Sequence, residues 1–254
     1  MASFDLTGRV AIVTGGNGGI GLGMARGMAA AGANIVVAAR NQEKSATAVA
    51  GLEALGAQAI AVEADVSDEA SVNAMVEAAA ARWGRLDILI NNAGTNIRKR
   101  PEELSLAEWR LVVDTNLTSV FLTSKAAYPH FKAAGGGKII NIGSMYSVFG
   151  AATVPAYAAS KGGVVQLTKA LATAWAVDNI QVNAVLPGFI ETELTDRARR
   201  DIPGLYERVL SRLPIQRWGD WNDMSGIAVF LASSASDYIT GIAIPVDGGY
   251  TALG

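Results

Sequence analysis

Three side chains between Ser144 and Lys161 could do chemistry together: a hydroxyl at Ser144, a phenol at Tyr157 and an ammonium at Lys161. Pro155 suits the first turn of a helix, because it has no N–H to satisfy there and its φ is already helical. A helix is therefore expected from about Val154, with Tyr157 and Lys161 at i and i+4 on one face. A free tyrosine is a poor base at neutral pH. A cation about 4 Å away at an effective dielectric near 20 would favour phenolate by up to about 4 kcal/mol, or roughly three pKa units. That would make the phenol a working acid or base. A Tyr-x-x-x-Lys pair can also be an ordinary helix-surface pair. What sets this one apart is Ser144, which follows the apolar run Lys138 to Ile142. If that run is a buried strand, the hydroxyl stands at its carboxyl end, facing the start of the Tyr157 helix, and ligands bind at that edge of open α/β sheets.

The elements needed to hold these groups can be read in order along the chain. Val10 to Val13 is a β-branched run, and Thr14-Gly15-Gly16-Asn17-Gly18-Gly19-Ile20-Gly21 follows it, before a helix from Leu22 to Ala31. Strand, glycine turn and helix form an arrangement that admits a dinucleotide: glycines let the backbone approach a pyrophosphate, and the helix N-terminus offers N–H groups. Further strands are expected at Asn34 to Ala38, Ala59 to Val62, Leu86 to Ile90, Lys138 to Ile142, Gln181 to Leu186 and Ile242 to Val246, alternating with helices. The expected fold is α/β: one doubly wound Rossmann-type domain over residues 1–254, a seven-stranded parallel sheet with helices on both faces.

Arg40 stands just after the second strand, where an acid would hold ribose hydroxyls and an arginine suits a 2′-phosphate. No acid is present there, so NADP(H) is favoured, with NAD(H) the alternative and a solvated surface arginine the plain reading. Asp65 could start the next helix, although Ser67, Asp68 and Glu69 already supply a cap and first-turn acids. Ser105 and Glu108 read as a capping box for a long helix to about Tyr128, interrupted by the polar Asn116. Arg98, Lys99 and Arg100 form a basic loop that either is solvated or meets a carboxylated or phosphorylated substrate. Residues 193–218 mix charged and aromatic side chains, including Trp218, and are expected to form a mobile lid that selects the substrate.

Composition narrows the chemistry. Of 254 residues half are hydrophobic, enough for one well-filled core. With no cysteine and the single His130, zinc-dependent alcohol chemistry is excluded and no metal site is expected. A formal charge of −2 without a basic block argues against nucleic acid. The amino-terminal stretch lacks a basic segment followed by an apolar one, and no apolar run is long enough to span a bilayer. A cytoplasmic enzyme is expected, with no membrane contact and an organic cofactor for any redox step.

Taken together, Thr14-Gly15-x-x-x-Gly19-x-Gly21, Asn91-Asn92-Ala93-Gly94, Ser144, Tyr157-x-x-x-Lys161 and Pro187-Gly188-x-x-x-Thr192 resemble the short-chain dehydrogenase/reductase family over essentially the full chain. The resemblance implies that Gly15, Asn17, Gly18, Gly19, Ile20 and Gly21 line the cofactor, and that Asp65 and Val66 contact adenine. It implies that Asn92, Ala93 and Gly94 pass beside the nicotinamide ribose. Pro187, Gly188, Ile190 and Thr192 would close over the carboxamide. It also implies that Tyr157 exchanges the proton, Ser144 hydrogen-bonds the substrate oxygen, Lys161 holds the ribose and Asn116 holds a water in a proton relay.

Arg98, Ser144, Tyr146, Tyr157 and Trp218 are the candidate substrate contacts. The small residues Gly162, Gly163, Ala170, Ala172 and Ala176 suggest a subunit contact, and the resemblance implies a homotetramer. The runs Lys138 to Ile142, Arg217 to Gly219 and Val229 to Asp237 resemble the sugar-acid branch, which includes gluconate 5-dehydrogenases and 2-dehydro-3-deoxy-gluconate 5-dehydrogenases. Several of them also occur in 3-oxoacyl carrier-protein reductases, which leaves that substrate class open. A non-catalytic dinucleotide sensor is the reading from a different class; such relatives usually lack part of the Tyr, Lys and Ser set, which is whole here.

Overall fold

The computed structural model describes residues 2–253. Met1 and Gly254, the ends of the expected domain, lie outside them. Strands β1 (Val10–Thr14), β2 (Asn34–Ala38), β3 (Ala59–Val62), β4 (Ile88–Asn91), β5 (Gly137–Ile142), β6 (Ile180–Pro187) and β7 (Ala243–Val246) form one sheet in the order 3-2-1-4-5-6-7, every pair parallel. The helices are α1 (Gly19–Ala30), α2 (Gln42–Glu53), α3 (Glu69–Trp83), α4 (Leu106–Val113), α5 (Ser119–Ala133), α6 (Pro155–Trp175), α7 (Glu193–Asp201), α8 (Leu205–Leu210) and α9 (Ser225–Ala232).

Both faces of the sheet are covered, because consecutive strand residues point to opposite sides and both sides are apolar. On β1, Ala11 and Val13 enter one core with Met24, Met28, Ala228 and Leu231, while Val10 and Ile12 enter the other with Val72, Met75, Phe131 and Leu171. The chain winds outward from β1 to β3, then returns to pair β4 against β1. That reversal opens a crevice at the carboxyl ends of β1 and β4, the place where doubly wound sheets bind ligands.

Several boundaries differ from the sequence expectation. Helix α1 begins at Gly19, inside the glycine motif. The helix expected from Ser105 to about Tyr128 runs on to Ala133 and is broken by a π turn at Asp114–Thr118 around Asn116. Within residues 193–218, read in the sequence as a lid, lie α7 and α8 and a small core of Val209, Leu213 and Trp218. Part of the small-residue run in α6 is used within the chain. A Cβ on Gly163 would lie 2.7 Å from Leu117 Cδ2, and Ala172 is buried in the second core.

Asp87, at the mouth of β4, is 2% exposed. It accepts from the Val10 N–H at 2.9 Å and from the guanidinium groups of Arg9 at 2.8 Å and Arg85 at 2.6 Å. Burial pushes its carboxyl upward, but these donors prevail and hold it below the usual carboxylate range. Among the described residues no helix is long and apolar enough to cross a membrane.

Candidate active site

The glycine turn lies at the end of β1. Gly15 has φ +62°, a left-handed conformation that a side chain would strain. Gly21 is needed for contact: a Cβ there would lie 2.4 Å from Asn92 Nδ2 and 2.6 Å from the Gly15 carbonyl oxygen. Asn92 donates through Nδ2 to the carbonyl oxygens of Thr14 at 2.9 Å and Gly15 at 3.1 Å. The Thr14 hydroxyl in turn accepts from the N–H groups of Asn92 at 3.0 Å and Ala93 at 3.1 Å. The glycine turn and the Asn92-Ala93-Gly94 segment, 78 positions apart at Thr14 and Asn92, are thus one hydrogen-bonded unit. Gly18 precedes α1 without any side-chain cap, so the first N–H groups of that helix face the crevice.

Two cavities make up the groove. One, of about 310 Å³, is lined by Gly15, Asn17, Gly18, Gly19, Ile20, Asn92, Ala93, Gly94, Ser144, Tyr157, Lys161, Pro187, Gly188, Ile190 and Thr192. The other, of about 600 Å³, continues from Gly15 and Asn17 to Arg40, Asp65 and Val66. The carboxylate of Asp65 is held low by the Ser67 hydroxyl and N–H, so it is an anionic acceptor, and the charge of Arg40 acts on it in the same direction. Two adjoining cavities that share Gly15 and Asn17, with an uncapped helix N-terminus between them and Arg40 at one end, fit a dinucleotide.

At the other end, Ser144 caps a short turn (Met145–Ser147), its Oγ accepting the Tyr146 N–H at 3.1 Å. Pro155 is at the first position of α6, so Tyr157 and Lys161 share a face as expected. Lys161 is 4% exposed and donates from Nζ to the Ile142 carbonyl oxygen at 2.6 Å. Its ammonium lies 5.8 Å from the centre of the Tyr157 ring. Burial lowers the Lys161 pKa to about 8.

The expectation that Lys161 would push Tyr157 toward phenolate is not met here. Burial raises the phenol, with the Ser144 hydroxyl and the charge of Arg98 only partly offsetting it. Burial of the phenol is the main cause, and the Lys161 ammonium, which donates to the Ile142 carbonyl oxygen, is not among the groups that offset it. Tyr157 is therefore a proton donor at neutral pH in the free protein.

Asn116 is fully buried within the π turn. Its Nδ2 donates to the Thr95 carbonyl oxygen at 2.9 Å and Ser160 Oγ at 3.1 Å, while its Oδ1 accepts the Thr95 N–H at 2.7 Å. Both amide hydrogens are used, so any water it holds must bond through oxygen. A Cβ on Gly94 would stand 3.3 Å from Asn116 Oδ1 and 3.7 Å from Lys161 Nζ, so Gly94 packs close to both.

The substrate candidates separate. The Tyr146 ring meets that of Tyr157 edge-on at 6.3 Å, and the charge of Arg98 bears on both phenols. Lys99 pairs with Glu108 and Arg100 with Glu102, whereas Arg98 makes no ion pair among the described residues. Trp218 is 4% exposed and packs with Phe189, Tyr206 and Arg199 inside the core of residues 193–218, apart from both cavities of the groove. Thr192 caps α7, and Thr195 Oγ1 ties back to the Ile190 carbonyl oxygen at 2.6 Å. Lys44, Glu193 and Thr195 line the groove without having been singled out in the sequence, whereas Thr14 of the glycine motif anchors Asn92. Only Thr14, next to the glycines, had a local signal.

A family model described as enoyl-(acyl carrier protein) reductase matches residues 15–251. A 2-dehydro-3-deoxy-D-gluconate 5-dehydrogenase of Escherichia coli (strain K12) is 44% identical over 253 residues, covering 99% of this chain and 99% of its own. A gluconate 5-dehydrogenase of Gluconobacter oxydans is 40% identical, covering 98% of this chain and 96% of its own. Among solved structures, a gluconate 5-dehydrogenase from Burkholderia cenocepacia in complex with NADP and tartrate superposes with TM-score 0.94 at 42% identity, covering 99% of this chain and 98% of that one.

Proposed function

The chain belongs to the short-chain dehydrogenase/reductase family of oxidoreductases, and from that premise we propose that it interconverts a secondary alcohol and a ketone on a small sugar acid, using NADP(H). The observation that carries this reading is that Ser144, Tyr157 and Lys161 line the same cavity as the glycine turn. The bound nicotinamide supplies the hydride for reduction or takes it up in oxidation. Everything else falls to the protein. Tyr157, protonated at neutral pH, gives its proton to the developing alkoxide, and Ser144 donates a hydrogen bond to the same oxygen, where negative charge appears in the transition state. Lys161, which lines the same cavity, would hold the nicotinamide ribose by its ammonium, and Asn116 holds the chain at Thr95.

Arg40 supports NADP(H) over NAD(H): it is exposed at the adenosine end of the groove and makes no ion pair among the described residues. NADP is named in the Burkholderia cenocepacia structure. Arg98 supports an acidic substrate, because a half-buried guanidinium beside two phenols and without a carboxylate partner suits an incoming carboxylate. The enzyme would act in the cytoplasm as a homotetramer.

Initial rates with NADPH and NADH against keto-sugar acids, neutral cyclic ketones and acyl thioesters test the reading. The expected result is a preference for NADPH and for the carboxylated ketones. Faster turnover of acyl thioesters would assign the 3-oxoacyl reductase activity instead, and no turnover of any ketone would leave a dinucleotide sensor.

A further inference from the structure

Lys44 and Glu193 are 149 positions apart in sequence and meet across the groove at 2.5 Å. Both line each of the two cavities, so the ion pair stands where the adenosine end joins the end that holds Tyr157. Lys44 reaches over the glycine turn: its Nζ lies 2.8 Å from the point where a Cβ on Gly18 would be. It thus brings an ammonium to the uncapped amino end of α1, the natural seat of an anion. Glu193 is the first residue of α7, directly after Thr192, whose Cγ2 lies 3.1 Å from the Cβ position of Gly19. The root of the segment 193–218 therefore rests on the glycine turn at two points, one apolar and one ionic.

A dinucleotide in this groove must carry its diphosphate past the same ammonium, and a 2′-phosphate would add a second claim on it. The Glu193 side chain is 86% exposed, so releasing it to water costs little, because exposed ion pairs hold weakly. A phosphate at a helix N-terminus is the stronger partner for the ammonium. Once it is bound, the Glu193 carboxylate beside it is repelled.

We propose that Glu193 is an internal competitor for the cofactor. In the free protein its carboxylate occupies Lys44; the phosphate groups of the dinucleotide take that ammonium over and release the first turn of α7. This deepens the oxidoreductase reading and rests on its assignment of the groove.

Calorimetric titration of NADP+ and NAD+ into the unsubstituted protein, Glu193→Gln, Lys44→Met and the double variant tests it. Glu193→Gln is expected to tighten NADP+ binding by about two- to fivefold, the range of an exposed pair. Lys44→Met should weaken binding by about tenfold, as for a lost charge-assisted hydrogen bond. In the double variant the gain from Glu193→Gln should vanish, since the competitor then has nothing to compete for. Both effects should shrink as salt rises. Loss with both cofactors would place Lys44 on the diphosphate, and loss with NADP+ alone on the 2′-phosphate. Glu193→Gln that leaves affinity unchanged, or changes it equally with and without Lys44, overturns the proposal while leaving the oxidoreductase reading intact. Failure of the unsubstituted protein to bind either dinucleotide overturns both.

Discussion

Lys161 and Ile142 are joined by a hydrogen bond of 2.6 Å from the buried ammonium to a strand carbonyl oxygen. Ser144 lies two residues beyond Ile142 and Tyr157 one helical turn before Lys161. This bond therefore ties the end of β5 to α6 beside the two hydroxyl groups. Replacing Lys161 with Met should lower turnover by about 10²-fold or more. The burial that depresses its pKa to about 8 also gives a sign. Between about pH 8 and the unfolded value near 10.4, the folded state binds fewer protons, so the unsubstituted protein should gain stability relative to Lys161→Met as pH rises. Urea unfolding of both proteins at pH 7.0, 8.5 and 10 would show the gap moving in that direction, and a pH-independent gap would contradict a buried cation.

Tyr157→Phe removes the proton donor but leaves the groove intact. Turnover should fall by about 10² to 10⁴, with NADPH affinity within about threefold of the parent. Steady-state rates and fluorescence titration measure the two separately, and retained turnover would remove Tyr157 from its role.

Arg40→Asp places an acid where ribose hydroxyls would lie. NADPH affinity should fall at least about tenfold while NADH affinity rises, which titration with both cofactors would read. Unchanged NADPH binding would mean that Arg40 is a solvated surface side chain.

Gly21→Ala puts a methyl group 2.4 Å from Asn92 Nδ2 and 2.6 Å from the Gly15 carbonyl oxygen, both parts of the unit that shapes the turn. The expected cost is about 1 to 3 kcal/mol of stability, with cofactor affinity lost more steeply than Tm. A full-affinity Gly21→Ala protein would show that the turn can shift without harm.

Asp87→Asn leaves two guanidinium groups and the Val10 N–H facing a neutral amide. A loss of about 1 to 3 kcal/mol is expected near pH 7. The folded carboxyl is held low, so its contribution is present above about pH 4 and fades as pH falls further. The stability difference from Asp87→Asn should therefore close on acidification, as denaturant unfolding at pH 7 and pH 3 would show.

The order of strands and helices, the glycine turn, the face shared by Tyr157 and Lys161 and the place of Ser144 were all legible in the sequence. They depend on periods of two and 3.6 residues and on Gly and Pro, all of which act over a few neighbours. What the chain alone could not settle depends on segments that meet only in the folded molecule. The direction of the Tyr157 shift follows from burial of the phenol in the folded site. Trp218, at the end of a charged segment, is buried because Phe189 and Tyr206 come to it. Arg98, unlike Lys99 and Arg100, has no acid placed beside it among the described residues and instead acts on the two phenols. The pairing of Lys44 with Glu193 across the groove has no local trace at all. Desolvation and the choice of polar partner are properties of a position in space, and the tertiary fold alone assigns them.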